Sequence, residues 1–353
     1  MSGISLTRCP GTLAVGFDSY SQACLNRVFG GRKVSPVLPY ASFKDSRYQE
    51  EVFEENALLL SISGVQEKFS LIQVKNKLRL TKAGEQGTHL LKPIPSLVKL
   101  ADQVPANEHL TMQLASQVYG IETAANALIF FENGEMAYLT KRFDLLADGQ
   151  KLGQEDLASL LEKSPQSHGT NYKYQGSYLE LAELMRAKLP AYPVEVVKWF
   201  KLILFNYLFS NGDAHLKNFS VLETPMGDYR LSPAYDLMNT RIHIEDQDFA
   251  LDQGILSPTV FQGTVLKQFQ QLALRTGIQE KQTNAILTEM LSKSDQVEQL
   301  ITASFLNERT QRSYLQHYQT RLNKLSKGWS TAADRELFFS RWSKKKKYAD
   351  SIR

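Results

Sequence analysis

The spacing of hydrophobic residues changes at about residue 150, and this change divides the sequence into two kinds of structure. Before it, short apolar runs are separated by turn signals at 75–77 and 132–134, which indicates antiparallel hairpins. After it, apolar residues recur every three or four positions. The helices predicted from this spacing cover residues 178–188, 194–209, 264–276, 279–294 and 296–325. One further hairpin, with strands at 219–222 and 229–231, interrupts them. We therefore predict an α+β chain with a small β-rich N-terminal lobe and a larger, mainly helical C-terminal lobe.

Four segments follow from the same pattern. Residues 1–56 contain Gly30, Gly31, Pro36 and Pro39, which break any long periodicity, so we expect an irregular lead-in with one short helix. Residues 57–144 form the predicted N-terminal lobe and residues 145–330 the C-terminal lobe. Residues 331–353 are a basic tail with lysine at every position from 344 to 347. Such a run is more often a solvated tail than a contact for RNA, phosphate or an acidic partner.

Composition excludes several classes of protein. A length of 353 residues with 42% hydrophobic residues allows a sizeable core in two lobes, and a formal net charge of +4 is too small to indicate nucleic-acid binding by itself. The two cysteines, Cys9 and Cys24, lack the partners of a zinc site, so a reduced cytoplasm is expected. No apolar signal core begins the chain, and the most apolar stretch, 196–209, contains two lysines. It is predicted to be a core helix, and no contact with a membrane is expected.

The segment 211–218, Asn-Gly-Asp-Ala-His-Leu-Lys-Asn, carries the strongest chemical signal, together with Asp236. Phosphoryl transfer needs a carboxylate to orient the attacking hydroxyl, and an amide oxygen and a second carboxylate to hold Mg²⁺ against the phosphates. Asp213, Asn218 and Asp236 supply this set at the spacing of a kinase catalytic loop. The alternative is an ordinary polar loop, but the preceding buried helix and the following hairpin favour the kinase interpretation. His215 either orients Asp213 or is a structural histidine that caps the loop.

Four elements upstream of the catalytic loop would complete a nucleotide site. Residues 58–68 occupy the position along the chain that is expected for a phosphate loop. Gly64 is the only glycine in this segment, and such a sequence is more often a polar turn. The strand 89–93 contains Lys92 near its end. This lysine is either a solvated strand end or, as the catalytic loop favours, the lysine that neutralises ATP phosphates.

Residues 107–109 open a predicted helix in which Glu108 either pairs with Lys92 or is a first-turn acid favoured by the helix dipole. The strand 136–144 leaves the first lobe where a kinase has its adenine-binding hinge.

In this order, the segments resemble the HipA family of bacterial serine/threonine kinase toxins, which have an atypical bilobal protein-kinase-like fold. The resemblance extends from about Ser61 to beyond Asp236. The motifs that carry it are Ser-Gly-Val-Gln-Glu-Lys (63–68), His-Leu-Leu-Lys-Pro (89–93), Asn-Glu-His (107–109), Arg-Phe-Asp (142–144), Gln-Glu-Asp (154–156), Lys-Tyr (173–174), the catalytic loop 211–218 and Leu-Ser-Pro-Ala-Tyr-Asp (231–236). A phosphate loop with a single glycine is usual in this family.

The resemblance implies a function for each motif. Asp213 would be the catalytic acid/base residue with His215 beside it, and Asn218 and Asp236 would hold Mg²⁺. Lys92 would contact the ATP phosphates, and the backbone of 140–142 would meet adenine. The nucleotide-binding set that it implies is Ser63, Gly64, Val65, Gln66, Lys68, Lys92, Thr140, Arg142 and Lys217.

A closer resemblance is to HipT, the short kinase of three-gene toxin–antitoxin systems. HipT-like kinases have two serines in the phosphate loop, as Ser61 and Ser63 here, and autophosphorylation of this loop switches the kinase off. The small N-terminal subdomain of HipA would be a separate antitoxin protein, because the phosphate loop begins only about 60 residues into the chain. The implied substrate is an aminoacyl-tRNA synthetase. The other implied partner is a DNA-binding HipB-like antitoxin, so that DNA is contacted only indirectly.

Two other functions compete with this one. The order Asp-x-His-x-x-Asn also occurs in small-molecule kinases that resemble aminoglycoside and choline phosphotransferases. The loop serines and the 154–156 and 173–174 motifs favour the protein kinase instead. A catalytically silent ATP-binding scaffold is the third possibility, and the presence of Lys92, Asp213, Asn218 and Asp236 argues against it.

Overall fold

The computed structural model describes residues 5–42, 67–96, 98–245 and 247–329. The predicted phosphate-loop residues Ser61, Ser63, Gly64, Val65 and Gln66 lie outside the described residues, and so does the basic tail from residue 331.

Five antiparallel strands form the N-terminal sheet, and both hairpins predicted there are present. Strands β1 (Phe69–Val74) and β2 (Lys77–Leu80) pair around a tight turn, as do β4 (Asn126–Phe130) and β5 (Met136–Lys141). Strand β3 (His89–Lys92) lies between the hairpins, in the order β2-β1-β3-β5-β4. Lys92 is therefore the last residue of a central strand and stands opposite Tyr138.

The N-terminal segment packs on this sheet. Helix α1 (Gln22–Phe29) begins at Ser21, whose side chain accepts a hydrogen bond from the amide of Cys24, and ends at Gly30 in the left-handed conformation. Its buried residues Val28 and Phe29 join the core beneath the strands. Within residues 5–42, α1 is the one helix, and both cysteines are buried and free; the lead-in predicted over 1–56 stays a prediction.

Helix α2 (Val104–Gln113) is buried along its whole length and joins the sheet to the helices that follow. It begins three residues before the predicted start at Asn107, because Pro105 occupies the first turn, where a missing amide costs nothing. A π-helical turn (Leu114–Val118) continues it. Glu108 therefore lies in the second turn, and the prediction that it could be a first-turn acid is wrong.

The remaining helices build the larger core. They are α3 (Leu157–Leu160), α4 (Pro165–His168), α5 (Tyr178–Lys188), α6 (Tyr192–Leu208), α7 (Val265–Thr276), α8 (Glu280–Ser292), α9 (Ser294–Thr302) and α10 (Glu308–Ser326). Four of the five predicted helices are confirmed to within two residues. The single helix predicted over 296–325 is wrong: the chain leaves α9 at Thr302 and starts α10 after Asn307, whose side chain accepts a hydrogen bond from the amide of Thr310.

A second, three-stranded sheet lies among these helices and carries the site segments. Strands β6 (Gln154–Asp156), β7 (Ser220–Glu223) and β8 (Tyr229–Leu231) pair in that order, and the last two form the predicted hairpin. Helix α6 brings Trp199, Phe200 and Phe205, all fully buried, into the centre of the core. Within the described ranges, no helix is both long enough and apolar enough to cross a membrane.

Candidate active site

The loop after α6 is held in one conformation by its own hydrogen bonds. Ser210 is in the left-handed region at φ +52°, and the amide of Asn211 donates to the carbonyl of Asn206 at 2.9 Å, which ends the helix. Nδ2 of Asn218 donates to the carbonyl of Asp213 at 2.8 Å, so the two ends of the loop are tied together. Because this bond uses the amide nitrogen of Asn218, its amide oxygen is the atom left to bind a cation.

Asp236 follows a short stretch that pairs with the chain just before β4. The amide of Ala124 donates to the carbonyl of Ala234 at 2.9 Å, and the amide of Ala234 donates to the carbonyl of Glu122 at 2.8 Å. Asp236 itself has a φ of +55°, a left-handed conformation that costs an aspartate about 1 kcal/mol. Strain of this kind is concentrated at functional sites. The backbone thus turns sharply at the residue predicted to bind metal.

Four charged side chains meet between the sheet, α2 and this segment. Nζ of Lys92 lies 2.6 Å from Oε1 of Glu108 and also contacts Oδ1 of Asp236. Nζ of Lys68 lies 3.4 Å from Oδ2 of Asp236. The side chains of Lys92 and Glu108 are only 5% and 4% exposed, so Lys92 is not a solvated strand end, and Glu108 pairs with it.

Charge and burial oppose each other in this cluster. Burial favours the protonated form of Asp236, but the ammonium groups of Lys68 and Lys92 outweigh it and hold its pKa well below the usual range. Burial also favours the neutral form of Lys92, but Asp236 and Glu108 outweigh it and raise its pKa. Lys92 is therefore a permanent positive charge in a buried place, as a phosphate-binding lysine has to be.

The carboxylate of Asp213 is partly exposed and meets two aromatic residues. Oη of Tyr174 donates a hydrogen bond to Oδ1 of Asp213 at 2.7 Å. Nε2 of His215 lies 3.7 Å from the same oxygen, which is longer than a hydrogen bond, and its ring packs edge-on against Tyr174. Burial lowers the pKa of His215 to about 4, although Asp213 acts in the opposite direction, so the ring is neutral at pH 7. The catalytic role of His215 stays a prediction.

Lys217 lies beside the motif 154–156 rather than beside Asp236. Its Nζ is 3.8 Å from Oδ2 of Asp156, and its carbonyl accepts a hydrogen bond from Oη of Tyr235 at 2.9 Å. Asp156 in turn begins α3, because its side chain accepts from the amide of Ser159. The nucleotide contact predicted for Lys217 stays a prediction.

The strand end predicted to meet adenine is already hydrogen-bonded on both sides. The amide of Lys141 donates to the carbonyl of Ala125 at 2.8 Å, and the amide of Arg142 donates to the carbonyl of Thr88 at 3.0 Å. The side chain of Thr140 lies 3.4 Å from that same Ala125 carbonyl. An adenine contact from Lys141 or Arg142 would therefore use their carbonyl groups, and this role stays a prediction.

Several residues of the site had no role assigned from the sequence. The ring of Phe143 stacks on that of Tyr235 at 5.8 Å, which places a flat aromatic surface between the end of β5 and Asp236. Tyr174 and Tyr235 both belong to motifs that the sequence highlights as blocks. Asn107, in the motif with Glu108, bonds to the segment after Asp236. For these four residues, membership of a motif was the only signal in the sequence that they belong to the site.

One family model matches most of this chain. The family is described as "HipA-like C-terminal domain", and the match covers residues 60–297. The matched range includes every residue of the site that the structure describes.

Curated relatives point to the same group of proteins. The chain is 30% identical over 192 residues to "Putative kinase Y4mE" of Sinorhizobium fredii, a match that covers 53% of this chain and 44% of that protein. It is 24% identical over 332 residues to a "Putative kinase" of Haemophilus influenzae, covering 88% and 93%. It is 24% identical over 285 residues to "Serine/threonine-protein kinase toxin HipA" of Shewanella oneidensis, covering 74% and 62%. The chain thus spans less than half of Y4mE but nearly all of the Haemophilus protein.

A solved structure of the Shewanella oneidensis HipA, in complex with HipB and operator DNA, shares the fold. It superposes with a TM-score of 0.57 at 22% identity and covers 76% of this chain and 65% of that one. The predicted fold class, an α+β bilobal kinase-like fold with a small β-rich lobe, is confirmed.

Proposed function

Because the chain belongs to the family with HipA-like C-terminal domains, we propose that it is an ATP-dependent serine/threonine protein kinase. One observation carries this proposal. Lys92, at the end of a central strand, lies between Glu108 and Asp236, and Asp213 and Asn218 are held on one closed loop. A lysine paired with a helix glutamate, a metal-binding aspartate and a loop Asp-x-x-x-x-Asn are the parts that protein kinases use.

The donor set suits Mg²⁺, which binds through one or two protein oxygens together with water and phosphates. Asp236 supplies a carboxylate and Asn218 supplies the amide oxygen that its hydrogen bond to Asp213 leaves over. Nζ of Lys68 lies 3.4 Å from Oδ2 of Asp236, and its side chain is partly exposed, so a bound cation can displace it. When bound, the ion neutralises charge on the β- and γ-phosphates.

The protein's own residues supply the remaining steps. Lys92 binds the phosphates as a buried positive charge, and Glu108 holds its ammonium group in place. Asp213, whose side chain is 45% exposed, accepts the proton of the acceptor hydroxyl as that oxygen attacks the γ-phosphorus. The half-exposed position suits a protein substrate, because the acceptor has to reach the carboxylate from outside.

The finer proposal is that this kinase is the toxin of a type II toxin–antitoxin system. A relative in Shewanella oneidensis is named a serine/threonine-protein kinase toxin, and its solved structure contains HipB and operator DNA. The proposed substrate is an aminoacyl-tRNA synthetase, and the proposed partners are a HipB-like repressor and a small antitoxin. Phosphorylation of Ser61 or Ser63 would add nearly two negative charges where ATP phosphates bind, so it would lower nucleotide affinity and switch the kinase off.

The experiment that tests the kinase proposal is mass spectrometry of the purified chain and of cell extract, before and after Mg-ATP. We expect phosphate on the peptide 58–68 and on one extract protein with wild type, and on neither with Asp213→Asn. Asp148→Asn, an exposed turn position, is the matched control and should behave as wild type. The variant with both Ser61→Ala and Ser63→Ala should keep labelling the extract protein while losing its own label.

Two outcomes would contradict the proposal. Labelling that persists in Asp213→Asn would remove that residue from catalysis. Phosphorylation of a small hydroxylated compound, with no protein labelled by a folded and initially unphosphorylated sample, would replace the protein kinase by a small-molecule phosphotransferase.

A further inference from the structure

The hydroxyl of Tyr174 is bonded to the residue that carries the proposed proton transfer. Its Oη lies 2.7 Å from Oδ1 of Asp213, and the direction of the bond is fixed because an ionised carboxylate can only accept. The two residues are 39 positions apart and belong to different loops. This bond therefore anchors the catalytic loop from outside.

The ring of Tyr174 is held in place independently of Asp213. Tyr174 ends a short 3₁₀ turn (Tyr172–Tyr174), and its carbonyl accepts a hydrogen bond from the amide of Asp252 at 2.9 Å. Its ring meets that of His215 edge-on, with centroids 5.2 Å apart, and Nζ of Lys173 lies 4.9 Å from its centroid. A tyrosine with a bonded backbone and a ring in contact with two side chains can hold a mobile carboxylate in one orientation.

The hydrogen bond from Tyr174 gives the two carboxylate oxygens of Asp213 different roles. Oδ1 receives the Tyr174 hydroxyl and faces His215. Oδ2 accepts no hydrogen bond from any residue that the structure describes, and the side chain is 45% exposed. Oδ2 is thus the oxygen left to accept a hydrogen bond from an incoming hydroxyl.

We propose that Tyr174 is a positioning residue that presents Oδ2 of Asp213 to the acceptor hydroxyl; this inference rests on the proposed kinase function. In the transfer step the proton of the acceptor hydroxyl moves to Oδ2 as its oxygen bonds to the γ-phosphorus. The bond from that phosphorus to the bridging oxygen breaks, and its electron pair leaves with ADP. Tyr174 keeps its own proton throughout.

The test compares Tyr174→Phe with Tyr172→Phe. Tyr174→Phe removes one oxygen and keeps the ring that packs on His215, whereas Tyr172→Phe removes a hydroxyl from the same turn that does not touch Asp213. Initial rates of transfer from radiolabelled ATP to the chain itself and to dephosphorylated casein give kcat and KM. A fluorescent ATP analogue gives nucleotide affinity.

We expect Tyr174→Phe to lower kcat by about tenfold to a hundredfold, because a carboxylate free to rotate is misplaced for much of the time. ATP affinity and KM for ATP should stay within about twofold of wild type, a split that a general loss of structure would not give. Tyr172→Phe should keep wild-type kcat. Equal kcat in the two variants would overturn the inference.

Crystal structures of wild type and Tyr174→Phe separate this inference from the kinase proposal, because they need no activity. We expect a single Asp213 conformer in wild type and a rotated or divided carboxylate in the variant. The same single conformer in both would overturn the positioning role even if the enzyme transfers phosphate. Absence of transfer by wild type, with the expected difference in conformers, would count against the kinase proposal alone.

Discussion

Asn107 and Asn239 exchange hydrogen bonds across 132 positions of sequence. Nδ2 of Asn107 donates to the carbonyl of Asn239 at 2.9 Å, and the amide of Asn239 donates back to Oδ1 of Asn107 at 3.2 Å. The same Nδ2 meets Nε2 of His243 at 2.9 Å. This pair ties the helix that carries Glu108 to the chain just beyond Asp236.

Replacing Asn107 by leucine tests how much this junction contributes to stability. Leucine has a similar size but leaves two buried groups without a partner, the amide of Asn239 and Nε2 of His243, while the carbonyl of Asn239 keeps a long bond from the amide of Ile242. Each unpaired buried group costs about 1–3 kcal/mol, so we expect the free energy of unfolding to fall by at least about 2 kcal/mol in urea denaturation. Asn323→Leu, on an exposed position of α10, should change it by less than about 0.5 kcal/mol. A similar loss in both variants would contradict the role of the junction.

Lys92→Met should destabilise the protein even without nucleotide. The substitution leaves the carboxylates of Glu108 and Asp236 together without their cation, and removal of one partner from a buried ion pair costs about 3–5 kcal/mol. In a Glu108→Gln background the same change should cost less, since one of the two charges is already gone. Arg230→Met, which breaks a surface pair with Glu122, is the control and should have a far smaller effect. Additive losses in the double variant would show that Lys92 and Glu108 do not interact.

Stability should fall as pH drops below about 6.5. Burial lowers the pKa of His89 to about 4, of His109 to about 3 and of His215 to about 4. These pKa values lie below that of an unfolded histidine, about 6.5, so between pH 6.5 and 4 the unfolded chain binds more protons. The stability that the neutral rings contribute is complete above pH 6.5 and decreases by about 1.4 kcal/mol per pH unit for each histidine.

Urea denaturation between pH 7.5 and 5 measures this slope. His89→Gln should reduce it by about one proton, because glutamine can still donate to the carbonyl of Val28 without titrating. His168→Gln, at the surface, serves as control. A free energy of unfolding that is constant over this range would mean that the buried rings have the same pKa values as in the unfolded chain.

Gly11→Ala should destabilise the contact between the N-terminal segment and the sheet. A Cβ atom at this position would lie 2.0 Å from Sγ of Cys24 and 3.4 Å from Cβ of Ala127. Overpacking of this kind costs about 1–3 kcal/mol, measured as the free energy of unfolding. The cost should be smaller in a Cys24→Ala background, because the sulfur is removed. An equal cost in both backgrounds would place the strain elsewhere.

Local features of this fold could be predicted from the sequence. Hairpins at 75–77 and 132–134 have turn signals between apolar runs, and helices such as α7 keep one apolar stripe from end to end. The separation of α9 from α10 was missed because apolar residues continue at helical spacing through 303–307, although Asn307 is an N-cap residue. The polar run at Asn107 predicts a later start for α2 than the structure has, because Pro105 fits the first turn of the helix.

In the site, too, contacts within one segment could be predicted from the sequence, whereas contacts between distant segments could not. Asp213 and Asn218 share one short loop, so their spacing alone indicates that they lie together. From the sequence, Glu108 could either pair with Lys92 or act as a first-turn acid. For the bond from Tyr174 to Asp213, the only signal was that Tyr174 belongs to a motif. A contact between distant segments depends on how the elements pack, and a spacing pattern within one segment does not contain that information.

Helix α2 directs three successive residues to three different parts of the molecule. Asn107 bonds to the segment after Asp236, Glu108 to strand β3 and His109 to the backbone of Gly11, and every residue of the helix is buried. Many protein kinases are turned on and off by moving the helix that carries this glutamate. Here such a movement would break all three attachments at once. A change in the position of this helix would therefore cost the free energy of several buried contacts, so the packing favours one fixed position for Glu108.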